Sequence, residues 1–206
     1  MPYPAEHKRE TRSRILASAR KLFNRNGMAE VTIDQIMAGA GLTRGGFYSH
    51  FSDKEELYAE AITHFVRGEP PGWQSAALAA RPEGQRLARA ILDAYLSAAH
   101  LADVEGSCPM IAQATDVARS SGAAKTAYRQ VMGMMAGVFA ENMGPDALAG
   151  NDAPDDAANR QRALALVALC VGGMVLARAI DDDAVAGDLR MAAHRYGVAL
   201  AGWRDV

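Results

Sequence analysis

TIDQIMAGAGLTRGGFYSHFSDK, residues 32–54, decides how this chain is read. Three helix starts follow one another inside it. Thr32 and Gln35 have the spacing of a capping box, with Val31 and Ile36 placed as its hydrophobic staple. Thr43 is placed to cap a second short helix, with Leu42 and Phe47 at the staple positions. Ser52 and Glu55 repeat the box spacing ahead of a third. Gly41 breaks the chain between the first two. Two short helices joined by a tight turn containing Gly form a helix-turn-helix, whose second helix can enter the DNA major groove.

Working outward, Ile15, Leu16, Ala19, Leu22 and Phe23 lie on one helical stripe, with Arg12, Arg14, Arg20 and Lys21 largely off it. Gly27 suits the end of that helix. A longer helix is predicted from about Asp53 towards Arg67, where Pro70, Pro71 and Gly72 stop it and mark a boundary. Two domains are expected, 1–68 and 69–206. The second reads as further helices, among them a Leu87, Ile91, Leu92 and Tyr95 stripe and a helix from about Ala123 to Met143. Residues 144–159, rich in Gly, Ala, Asp and Pro, read as a loop. One closing helix is predicted from about Asp155 to Ile180. In the last, Leu189, Ala192, Tyr196, Leu200 and Trp203 share a face. No β alternation interrupts this pattern, so the expected fold is all-α.

At 206 residues, half of them apolar, the chain can bury a substantial core, and disorder is not the default. Its net charge of −2 hides an asymmetry. Residues 1–54 carry nine Lys and Arg against five acids, a net of +4; the remainder carries 13 against 19, a net of −6. A basic head on an acidic body suits a polyanionic partner. Cys108 and Cys170 form neither a disulfide framework nor a metal-ligand cluster. The opening MPYPAEHKRE lacks the apolar core of a signal peptide. The apolar run Ala163–Ala177 is shorter than the roughly 20 residues a membrane span needs. A helix covered on nearly all sides, as at an oligomer interface, accounts for it. A cytoplasmic setting without membrane attachment is therefore expected.

The run Thr43-Arg44-Gly45-Gly46-Phe47-Tyr48-Ser49-His50-Phe51, with Ile15–Phe23, Gly27, Thr32, Ile36, Ala40–Leu42, Lys54, Glu55 and Leu57, resembles the DNA-binding domain of the TetR (tetracycline repressor) family of bacterial regulators. The resemblance covers about a quarter of the chain, from about Thr11 to Ile62. It implies DNA contacts at Thr32, Thr43, Arg44, Gly45, Gly46, Tyr48, His50 and Lys54. Each also has its own chemistry. The Thr43 hydroxyl can cap a helix or meet a phosphate. Arg44 can grip a guanine edge with two N–H groups or pair with a phosphate. Gly45 and Gly46 each cost a helix about 1 kcal/mol against Ala and leave the backbone bare. Phe47 and Phe51, four apart, belong to the core, which turns Tyr48 and His50 elsewhere. Lys54 in a first helical turn opposes the helix dipole unless an anion sits nearby. Ser49 is a further possible base reader, and Lys8, Arg9 and Arg12 form an arm able to reach phosphates or the minor groove.

For the body, the resemblance implies a helical ligand-binding and dimerisation domain. Tyr95, Met110, Tyr128, Met132, Met134, Met135 and Phe139 are soft or aromatic residues on its middle helices, able to line an apolar pocket or simply to fill core. Cys108, between Ser107 and Pro109 at a helix start, is a possible redox-sensing thiol; Cys170 lies in the apolar run as core. No metal-ligand spacing, phosphate loop or nucleophile–base pair stands out, and neither a metal nor a cofactor is expected. Gly172 and Gly173 favour close helix approach in a homodimer through the last two helices. The expected function is a dimeric repressor. It holds a palindromic double-stranded operator and is released by a small apolar or amphipathic effector. A helical interaction protein that lost specific DNA binding, and an enzyme enclosing a substrate in its middle helices, are the alternatives.

Overall fold

The computed structural model describes residues 5–120, 122–145 and 156–203, and every regular element among them is helical. Helices α1 (Ala5–Glu30), α2 (Ile33–Gly39) and α3 (Lys54–Arg67) enclose a 3₁₀ helix, Arg44–Ser49. There follow α4 (Gly72–Leu78), α5 (Gly84–Tyr95), α6 (Ala98–Ala102), α7 (Pro109–Ala112), α8 (Ala114–Arg119), α9 (Gly122–Glu141), α10 (Asp156–Ala179) and α11 (Asp183–Ala201). The loop expected over 144–159 lies mostly outside the described residues.

The chain packs as two units. The first joins residues 1–70 to 104–131; the second joins 71–103 to 132–206. A single cut after residue 68 therefore describes the first crossing only. The chain returns to the first unit because buried polar groups hold it there. Asn24 of α1 donates to the carbonyls of Glu105 (3.0 Å) and Ser107 (2.8 Å), and Gln113 Nε2 donates to Asn24 Oδ1 at 2.7 Å. Asp116 accepts from the Met28 amide at 2.8 Å. Asn24 and Gln113 are both buried, so removing either side chain leaves the other buried and short of a partner, at roughly 1–3 kcal/mol.

The core of the first unit is the predicted α1 stripe. Ile15, Ala19 and Phe23 are fully buried against Ile36, Phe47, Leu57, Tyr58 and Ile62. Phe23 and Tyr58 meet edge to face at 5.1 Å. Gly27 ends the long first stretch of α1, as expected, at a kink ahead of the last residues to Glu30. It takes φ 77° inside it, and a Cβ there would lie 2.9 Å from Asp116 Oδ2, so both the backbone angle and the close approach call for Gly.

In the second unit α10 and α11 form the principal pair. A Cβ at Gly173 would stand 2.8 Å from that of Ala193, and one at Gly197 2.8 Å from Leu166 Cδ1. Gly173 thus serves close approach within the chain, while Gly172 has nothing within 4 Å of its Cβ direction. Cys170 is wholly buried, as expected. The inward face of α11 is Ala186, Ala193, Gly197 and Ala201. Of the stripe read from sequence, Trp203 is buried, but Tyr196 is 65% exposed and Ala192 is exposed too. Large apolar residues on this helix point outward and small ones inward. Buried Arg162 gathers the carbonyls of Leu200 (2.9 Å) and Gly144 (3.0 Å), a cation at the C-terminal end of α11, where the helix dipole favours it. Trp73 stacks on His100 at 3.7 Å with Tyr95 edge-on; burial holds the His100 imidazole neutral, its pKa pulled down to about 4.

Candidate nucleic-acid interface

The reading of residues 32–54 begins with caps, and the first one forms as spaced. Thr32 Oγ1 accepts from the Gln35 amide at 3.2 Å, and Gln35 Oε1 accepts from the Thr32 amide at 2.8 Å. Val31 and Ile36 are buried on either side of it. Such a cap contributes about 1 kcal/mol and fixes where α2 starts. Gly41 then turns the chain at φ 69°, Phe47 and Phe51 bury fully, and the 3₁₀ helix packs on α2.

The third cap falls one residue later than its spacing suggested. Asp53, not Ser52, caps α3, its Oδ1 accepting from the Glu56 amide at 2.8 Å. Glu56 turns back to accept from the Ser52 amide at 2.6 Å, which draws its carboxyl below the usual carboxylate range. Ser52 and Asp53 are both good capping residues, and Asp takes the position.

What remains on the outer face is polar and bare. Thr43 stands at the N-cap of the 3₁₀ helix without a side-chain cap bond, leaving its hydroxyl for another partner. Arg44 is 65% exposed, with Nη1 2.9 Å from Asp34 Oδ2. Gly45 has open space within 4 Å where a Cβ would stand; Gly46 has only Met37 Cε, at 3.6 Å. Tyr48 is 62% exposed, edge-on to Phe47 at 5.2 Å. His50 ends the 3₁₀ helix, half-buried, its Nδ1 without a hydrogen-bond partner. Burial first, then the charges of Lys8 and Arg12, push its pKa down.

Several expected contacts have other work. Ser49 Oγ donates to the Gly46 carbonyl at 2.6 Å, bending back onto its own helix instead of facing outward. Lys54 Nζ donates to the carbonyls of Met28 and Val31, 3.0 Å each. Carbonyls at and just past the end of α1 thus supply what a cation at the start of α3 needs, without any phosphate. Arg12 belongs to no loose arm, since α1 is already helical at Ala5. Its guanidinium is paired with both carboxylate oxygens of Glu60 and lies 4.2 Å from the Phe51 ring centroid. The Glu60 hydrogen bond raises its pKa. Sequence reading missed the Asp34–Arg44 and Arg12–Glu60 pairs. Opposite charges either side of the Gly41 turn were the only available signal for the first.

The proposed pocket residues do not share one unit. Tyr95, Met132, Met135 and Phe139 belong to the second; Met110 and Tyr128 belong to the first, where the Tyr128 hydroxyl donates to the Met110 carbonyl at 3.0 Å. Tyr95 is buried in the Trp73–His100 cluster. Cys108 is 1% exposed, ahead of a helix of only four residues. Among the described residues no three His, Cys, Asp or Glu side chains converge as a metal site would require.

Comparison with known proteins points the same way. Residues 15–61 match the family described as bacterial regulatory proteins, tetR family. A 51-residue stretch is 43% identical to the HTH-type transcriptional regulator AcrR of Shigella flexneri, spanning 25% of this chain and 24% of that one. TtgR of Pseudomonas putida is 42% identical over 52 residues, a quarter of either chain. The matched stretch thus spans about a quarter of the length of these relatives. A TetR-family regulator from Cytophaga hutchinsonii superposes over 99% of this chain and all of its own, at a TM-score of 0.71 and 18% identity. The reduced form of Escherichia coli NemR superposes over 91% of this chain and 95% of its own, at 0.70 and 15%. At such identities the structures establish a shared fold.

Proposed function

We propose that this chain, whose residues 15–61 form a domain of the tetR family, is a sequence-specific DNA-binding transcriptional repressor that works as a homodimer. The observation that carries this reading is the outer face of the 3₁₀ helix. Its apolar side is locked into the core by Phe47 and Phe51, and it presents Arg44, a bare Gly45 backbone and Tyr48 to solvent. Arg44 also pairs with Asp34 of α2, which keeps it on that face. A basic head carrying exposed donors is suited to phosphates and base edges.

The exposed stripe on the closing helices supports dimerisation. Leu164, Ala165, Ala168, Val175 and Leu176 lie along α10, and Val185, Met191, Ala192 and Tyr196 along α11. Large apolar side chains at helical spacing on adjacent helices suit a second copy of the same pair. A two-fold dimer sets two recognition helices about one DNA turn (~34 Å) or more apart and selects a palindromic operator. A small apolar or amphipathic effector that prefers another arrangement of the body lowers operator affinity by that preference alone. The setting for such a protein is the cytoplasm.

The test is selection of duplexes from a randomised pool, followed by titration at several salt concentrations. The expected result is an enriched inverted repeat, bound with a steep inverse dependence on salt. Recovery of no preferred sequence refutes the reading.

A further inference from the structure

The first unit holds a charged pair that no helix cap or core contact requires. Asp34 Oδ2 receives Arg44 Nη1 at 2.9 Å, with the two side chains 58% and 65% exposed. Asp34 stands in the first turn of α2, whose start is fixed by the Thr32–Gln35 box; Arg44 opens the 3₁₀ helix beyond the Gly41 turn. The pair therefore spans the turn of the helix-turn-helix and ties the arginine to the preceding helix.

We propose that Asp34 is a positioning residue for base recognition, one that holds Arg44 as a reader of guanine and against use as a phosphate clamp. This rests on the DNA-binding reading above. A guanidinium has five N–H groups, and one directed at Asp34 leaves enough for the two bonds that guanine O6 and N7 accept. A side chain already held loses less freedom on docking. The carboxylate also discriminates by cost. If Arg44 leaves for a phosphate, Asp34 is stranded, unpaired, against a polyanion. If Arg44 reads a base, the pair survives intact. Asp34 thus weakens binding to any sequence and weakens it least where a guanine stands beneath Arg44.

Three variants, Asp34→Ala, Asp34→Asn and Arg44→Ala, test this on the full chain. The probes are a duplex selected by the wild type and the randomised pool itself, at one fixed salt concentration. For Asp34→Ala, pool affinity rises while the ratio of selected to pool affinity falls about three- to fivefold, the range an exposed charge pair supports. Asp34→Asn keeps an acceptor oxygen and retains most of the ratio, although its pool affinity also rises. In the Arg44→Ala background, Asp34→Ala no longer changes the ratio. If Asp34→Ala raises both affinities equally, or lowers the ratio as much without Arg44 as with it, Asp34 is ordinary repulsion and the proposal fails alone. A wild type that selects no sequence overturns the regulator reading and takes this one with it.

Discussion

The first unit and the closing helices of the second each leave one surface unfinished, and the two are opposite in chemistry. Around the 3₁₀ helix the exposed groups are a guanidinium, a phenol, a hydroxyl and bare backbone, set on a fully packed aromatic base. Along α10 and α11 the exposed groups are Leu176, Val175, Met191 and Tyr196, and the inner face of α11 beneath them is alanine and glycine. A polar surface on a rigid support is stable in water and can wait for a partner. An apolar stripe on two long helices is stable only when covered. On the proposed reading, the second surface is covered by a second copy and the first meets DNA reversibly.

Breaking the apolar surface has the largest expected effect. Leu176→Glu combined with Tyr196→Glu places charges on a stripe that the protomer does not itself bury. The protomer still folds, because neither side chain is buried within it, while its melt loses the stabilisation that a second copy supplies. Sedimentation shows a monomer, and operator affinity drops by about 100-fold or more, because two linked heads gain at least that from effective concentration. A variant that still sediments as a dimer places the interface elsewhere.

On the polar surface, Arg44→Ala removes the one cation exposed at the start of the 3₁₀ helix. Fluorescence anisotropy on the selected duplex shows a loss of about 1–3 kcal/mol, with selectivity relaxed at one base position. Thermal stability is unchanged, because the pair with Asp34 is exposed and contributes little. Uniform weakening on every sequence instead marks Arg44 as a phosphate contact. Gly45→Ala sharpens the point with a smaller change. Nothing in the chain opposes a Cβ there, so the free protein gains up to about 1 kcal/mol in a melt. Binding weakens about threefold or more if the backbone meets DNA closely, a methyl group sufficing to hold a phosphate off. Stabilisation with unchanged affinity shows that the bare backbone faces no ligand.

Sequence pattern reached these two surfaces unequally. The Thr32–Gln35 cap, the buried Phe47 and Phe51, and the exposed Tyr48 were legible because caps and helical spacing are local. The α3 cap slipped by one residue because Ser52 and Asp53 compete for it on equal local terms. The links that return residues 104–131 to α1 were invisible. Asn24 and Gln113 are 89 residues apart, and each reads alone as a surface amide. Lys54 was read as waiting for an anion because the carbonyls it holds, those of Met28 in α1 and Val31 just past it, lie 26 and 23 residues earlier. On α11 the period was plain but its direction was not. Alanine and glycine permit close packing as readily as tyrosine and methionine fill space, and only the partner helix decides which face turns in.

His50, at the end of the 3₁₀ helix, supplies the smallest effect and the finest distinction between the surfaces. In the free protein, burial and then Lys8 and Arg12 depress its pKa, so the ring is neutral at pH 7. Nearby acids do not reverse this: Glu60 pairs with Arg12, and Glu56 is held by the Ser52 amide. The sign for stability follows. A histidine whose folded pKa lies below its unfolded value of about 6.5 contributes stability above that pH, and the contribution is lost as pH falls through the folded value. DNA reverses the balance. A phosphate beside the ring favours imidazolium, so binding takes up a proton, and affinity rises as pH falls from 7.5 to 6. His50→Gln keeps a hydrogen-bonding side chain without the titration, so its affinity stays flat over the same range. If the variant tracks the wild type, the proton enters elsewhere, and His50 is a packing residue at the end of the 3₁₀ helix.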